Sequence, residues 1–351
     1  MEPCEWDHQA ARSAASTPPS SLLDNPYVPA PVVALSTHTR EMRTLELRLF
    51  HHYLTHFAPQ LPHYGRMEIG ELYASGAPQL GFGYEAVLSA LLGLSACHYL
   101  SLAPHDASMK RAARHYLEQC VREQSQLVAR LDRDTAEPAV LASMLLFGIV
   151  RSRAAFRDDD EPYRLPFELF HMPRGVEALH QKSRPFLPRD SPILITLSVR
   201  PAFIDADLLA GEYLPATILQ DSLALQQGLD ECAPDEMATY HGTIAYLHGL
   251  YLALLRREDP EWTRFRLFAM PGTTPPGFLD LLEREEPRAM AILARFLALT
   301  KLCDGPRYHR GVAEFEVQGI AALMPAEWQW AMNWPFRLLE LESLADCELQ
   351  V

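Results

Sequence analysis

The sequence predicts an all-α protein, a helical bundle or array, and three observations lead there. Apolar residues recur at helical spacing in one segment after another between Met42 and Leu252. Proline and glycine punctuate these segments where helices begin or stop, as at Pro287 and Gly305-Pro306. From Ala289 to Cys303 only Arg295, Thr300 and Lys301 interrupt an apolar run. A helix that is apolar nearly all round has no solvent face and belongs inside a bundle.

Composition sets the bounds. The chain has 351 residues, 48% hydrophobic and 22% charged, enough for a sizeable core. The formal charge of −14 argues against direct DNA binding by the body, since that affinity comes largely from Lys and Arg neutralising phosphates. The six cysteines (Cys4, Cys97, Cys120, Cys232, Cys303 and Cys347) are never closer than 23 positions. With no C-x-x-C pair there is no metal-ligand spacing, and neither metal nor other cofactor is expected. Scattered single thiols suit a reduced, intracellular protein. The start Met-Glu-Pro-Cys-Glu is no secretory signal. The longest apolar run, Ala139 to Val150, is too short for a bilayer, so no membrane span is expected.

Residues 1–36 hold six prolines with no helical periodicity and read as a disordered arm, leaving 37–345 as a single helical domain. The first helix is expected over 37–57, with Met42, Leu45, Leu49, Phe50, Tyr53 and Phe57 inward. His52 and His56 share a face there, but Tyr53, Leu54 and Thr55 between them lack the glutamate of a zinc-protease motif, so the histidines border an apolar stripe. The next helix, Tyr84 to Leu102, presents Val87, Leu88, Leu91, Leu92, Ser95, His98 and Tyr99 on one side. Asp106 should cap a helix reaching Leu131, with an inner stripe through Tyr116, Cys120, Leu127 and Val128. Thr135 should cap another over 136–151. The run Arg157-Asp-Asp-Asp-Glu161 superficially suits a magnesium-binding terpene cyclase, but no second metal motif accompanies it, and it reads as a solvated loop. Residues 182–220 suggest short helices in long connections. A strong helix starts at Pro234-Asp235 and ends near Arg256.

The last stretch carries the densest pattern. After Gly305-Pro306 a helix should turn Val312, Phe315, Gly319, Ala322 and Leu323 inward and end at Met324. Pro325 then opens a third helix bearing Trp328, Trp330 and Trp334. Pro287, Ala289, Ile292, Leu293, Ala294, Phe296 and Leu299, followed by Arg310-Gly311, Met324-Pro325, Trp328 and Trp334-Pro335, resemble the C-terminal part of fungal zinc-binuclear-cluster transcription factors of the sterol-uptake-regulator type. Three earlier segments resemble landmarks of that family in the same order: Leu45–Leu61, Leu91–Pro104, and Leu169–Leu179, whose Arg174-Gly175-Val176 step should open a short helix. The resemblance implies an all-α regulatory domain that binds a hydrophobic ligand, associates with a second copy or another protein, and works in the nucleus, with the cytoplasm as alternative. The cysteines that would build the family's zinc cluster do not occur among these residues, so direct DNA binding is not expected.

Two functions compete. One is a transcription regulator sensing a hydrophobic small molecule or binding a partner. The other is a helical-pocket enzyme or carrier acting on a hydrophobic metabolite in specialised metabolism. No G-x-S-x-G elbow, Walker loop or G-x-G-x-x-G occurs, and the spacing proposes no catalytic residues. For a ligand site the sequence points to the helix from Pro234. Gly242 and Gly249 would leave space, and Tyr240, His241, His248 and Tyr251 would supply isolated polar contacts.

Overall fold

The computed structural model describes residues 40–157, 161–199, 214–302 and 311–344. These residues form helices and turns with no strand. The all-α expectation is met, while the arm 1–36, Cys303 and the Gly305-Pro306 stop lie outside the described residues.

The buried apolar side chains gather into two cores. The first is built on α1 (Arg40–His52), α3 (Ala77–Gly83), α4 (Glu85–Leu102), α5 (Ala107–Ala129) and α6 (Ala136–Arg151), with the short α2 (Met67–Glu71) between α1 and α3 in the chain. After α1 the chain widens into a π-helical turn, Tyr53–Phe57, and a second such turn follows α2 at Leu72–Gly76. The Tyr53 hydroxyl donates to the Tyr73 carbonyl across 2.9 Å and ties the two together. Helix α4 is buried on nearly every side, not on one, because α1, α3, α5 and α6 all pack around it. By length and composition alone Glu85–Leu102 is apolar enough to cross a membrane, contrary to the sequence expectation, yet most of it lies inside this core. Gly93 permits the fit, since a Cβ there would meet Ile149 of α6 at 2.6 Å.

The cap predicted at Asp106 is present: its carboxylate accepts from the Ser108 and Met109 amides at 2.9 and 3.1 Å. Val128, expected inside, is exposed, because it lies a further 100° or so round the helix from Leu127. Thr135 does not cap α6 with its side chain. Its hydroxyl instead donates to the Arg130 carbonyl, and Asp132 holds the turn by accepting from the Asp134 and Thr135 amides. Those bonds hold the Asp132 carboxyl below its ordinary range. Cys97 and Cys120 are free and buried, and burial pushes both thiols up to about 12.

Helix α7 (Glu168–Ser183) belongs to both cores, giving Phe170 to the second and Leu179 to the first. Arg174-Gly175-Val176 sits in its middle and opens no new helix. After α8 (Pro192–Ser198) and α9 (Ala216–Gln226), the second core continues through α10 (Pro234–Leu255), α11 (Pro260–Thr273), α12 (Gly277–Glu283), α13 (Pro287–Leu302), α14 (Val312–Leu323) and α15 (Asn333–Glu340). In α13 every residue from Ala289 to Leu299 is buried, as the apolar run requires. The inward face of α14 is Ala313, Val317, Gly319 and Ile320; Ala322 and Leu323 are exposed, a shift of register from the predicted face. Trp328 and Trp330 lie on a 3-10 turn, Ala326–Met332, and Trp334-Pro335 falls in the first turn of α15. Proline is tolerated there because the first helical amides have no partner to lose.

Candidate functional site

A cavity of about 180 Å³ lies where the two cores meet. Its walls come from the end of α6, residues within 153–157 and 161–169, and helices α11, α13 and α14. One side is apolar, with Leu267 and Phe268 of α11 and Phe296 and Leu297 of α13. The rest carries charge: Arg151 ends helix α6, Arg153 and Arg157 follow it, and Glu316 comes from α14.

Each charged group has a definite setting. Arg153 is spent on two carboxylates, Glu161 at 2.9 Å and Glu168 at 3.0 Å. Arg151 stacks on the Phe268 ring at 3.1 Å, and Arg157 on the Phe315 ring at 4.8 Å. Tyr163 donates to the Glu316 carboxylate across 2.8 Å. Burial pushes the Glu316 carboxyl up to about 7, against the opposing pull of the Tyr163 hydrogen bond and Arg157. Burial, together with the charge on Glu316, likewise raises the Tyr163 phenol above its ordinary range. The Tyr163 ring lies against the Gly319 backbone so closely that a Cβ there would overlap it, so Gly319 is what lets the connection cross α14 at this point. Chemically, the wall offers an apolar surface, two stacked guanidinium groups and one acid that is partly protonated near neutral pH.

The six residues singled out on α10 do not line this cavity. Tyr240 and Tyr251 are buried, the first with Arg288 over its ring at 5.5 Å, the second accepting from the Trp334 indole at 2.8 Å. Trp334 thereby finds the partner its indole needs. His241 is exposed. Gly242 leaves no open space, because the Pro275 ring stands 2.9 Å from where its Cβ would be. Gly249 is buried within α10, and His248 is partly buried and bonded to the Ser222 hydroxyl of α9, its basicity lowered by burial. At about 100° per residue, these positions spread over roughly 200° of the helix, too wide to face one pocket.

A second polar cluster sits in the first core. His52 and His98 share a hydrogen bond of 3.0 Å between Nε2 and Nδ1, with the Tyr99 ring stacked on His52 at 3.9 Å. Burial, then the neighbouring His98 and His56, lower His52 to about 4, so the pair is neutral near pH 7. Among the described residues no three His, Cys, Asp or Glu side chains are placed to hold a metal ion.

The sequence reading missed Tyr163, Arg157 and Glu316. The available signal was a glutamate one turn before a glycine on a largely apolar helix, a place where a carboxyl can sit partly buried beside a close contact.

Residues 48–159 match the fungal specific transcription factor domain, a span that holds most of the first core. Over 297 residues the chain is 25% identical to the Zn(2)-C6 fungal-type transcription factor afumD of Aspergillus fumigatus, covering 82% of this chain and 74% of the relative. Over 332 residues it is 26% identical to a Zn(2)-C6 fungal-type transcription factor of Gibberella zeae, covering 89% of this chain and 66% of that protein. Residues 48–159 thus resemble the fungal specific transcription factor domain, and the chain is similar to Zn(2)-C6 fungal-type transcription factors over most of its length.

Proposed function

We propose that this chain regulates transcription in the nucleus as a sensor, its helical body changing behaviour when a hydrophobic small molecule occupies the cavity between the cores. The transcriptional role is supported by the matched domain and by the two regulators to which the chain is similar. The observation that carries the sensing role is the position of the cavity, since α6 of the first core and α11, α13 and α14 of the second all contribute to its wall. A ligand there touches both cores and favours whichever arrangement fits it better. At about 180 Å³ the space is smaller than the roughly 300–1,000 Å³ of pockets for drug-sized molecules, which favours a compact ligand over a whole sterol. With a charge of −14 these residues act through a protein partner or a second copy, not by gripping DNA themselves.

The test is a reporter. The chain, fused to an unrelated DNA-binding module, should alter expression from that module's site, and a set of compact and larger apolar metabolites should change the output. A fusion that leaves expression untouched with every compound would overturn the reading. Purified protein should also fail to retard duplex DNA at physiological salt.

A further inference from the structure

We infer that the cavity takes a compact organic acid, an aromatic or branched apolar body bearing one carboxylate, with the body against Phe268, Phe296 and Leu297 and the carboxylate between Arg157 and Glu316. The inference deepens the sensor reading and rests on it. Arg157 carries the argument. Among the described residues it makes no ion pair, whereas Arg153, four residues earlier on the same wall, is held by Glu161 and Glu168. A stacked guanidinium is fixed in orientation with its N–H edge still able to receive a carboxylate in a two-pronged bond.

Glu316 fits the same ligand. Its Oε2 accepts from Tyr163, and burial favours the protonated form, which can donate to a ligand oxygen instead of repelling it. A cationic ligand fits poorly, because the Arg157 guanidinium on the same wall would repel it. Size narrows the class further. An engineered apolar cavity of about 150 Å³ holds benzene, so about 180 Å³ accommodates one ring and a small polar group.

Three probes share one ring and differ in the head group: phenylacetate, 2-phenylethanol and 2-phenylethylamine. Calorimetry and thermal shift on the full chain at neutral pH should show phenylacetate binding about tenfold or more tightly than the alcohol, the gain of a charge-assisted bond, and no shift with the amine. Arg157→Gln should abolish the preference for acid over alcohol, and Arg157→Lys should restore part of it. Val312→Phe, which fills the wall from α14, should remove binding of both the acid and the alcohol. Equal binding of acid and alcohol, or preference for the amine, overturns the ligand class while the sensor reading stands. Full binding to Val312→Phe, or no binding of any probe to the parent protein, overturns this site for such acids. The sensor reading would then rest on the reporter test with larger compounds.

Discussion

Arg295, fully buried in the middle of α13, grips Asp221 of α9 through two parallel hydrogen bonds, Nε to Oδ2 at 2.7 Å and Nη2 to Oδ1 at 2.5 Å. Its Nη1 donates to the Ala291 carbonyl one turn back, so all three nitrogens are satisfied inside an apolar core. On the next residue of α9, Ser222 bonds His248 of α10, and a short helix is fastened by adjacent side chains to two long ones. A buried guanidinium is tolerated only with its partner in place. Asp221→Ala should therefore cost about 3–5 kcal/mol in urea unfolding, whereas adding Arg295→Met to that variant should recover most of the loss. Little loss in the single variant would mean the pair contributes only geometry.

Glu316 gives the protein a pH-dependent stability of known sign. Its folded value, about 7, lies above the ordinary 4.5, so the folded state holds the proton more tightly than the unfolded chain. The cost of ionising it inside the fold is absent below pH 4.5, grows as pH rises to about 7, and then levels off. Glu316→Gln should match the parent near pH 4 and exceed it near pH 8 by on the order of 2 kcal/mol, after allowing for partial exposure. Parallel denaturation curves at the two pH values measure this. A difference of the opposite sign would show that the ionised carboxylate is the better-solvated form.

Gly319→Ala should destabilise the protein by about 1–3 kcal/mol, the usual cost of overpacking, because the added methyl overlaps the Tyr163 ring. Adding Tyr163→Ala to Gly319→Ala should cost less than the sum of the two single changes, since the clash is then gone. Strict additivity in the double-mutant cycle would place Tyr163 elsewhere.

Phe296 is 1% exposed and forms part of the cavity wall. Phe296→Ala should cost about 3–5 kcal/mol and enlarge the cavity. The larger space should accept bulkier apolar ligands, read as a greater rise in melting temperature with a two-ring than with a one-ring compound. A silent substitution would remove Phe296 from the core.

Much of the fold was written in local patterns. The apolar run from Ala289 to Leu299 by itself demanded a buried helix, Asp106 announced its own N-cap, and Pro234 and Pro287 marked helix starts, all through contacts within a turn or two of the chain. The motif residues from Pro287 to Pro335 were enough to reveal the likeness to fungal transcription factors. The cavity was not legible, because its wall joins Arg157, Phe268, Phe296 and Glu316, residues that periodicity treats as unrelated segments. Spacing on α10 suggested room at Gly242, and only tertiary packing put Pro275 there. Arg295 looked like an interruption until α9 brought Asp221 to it. The physical division is one of range: helix formation and burial follow from neighbours in sequence, whereas a cavity, an ion pair in a core and a shifted carboxyl are properties of what distant segments place opposite one another.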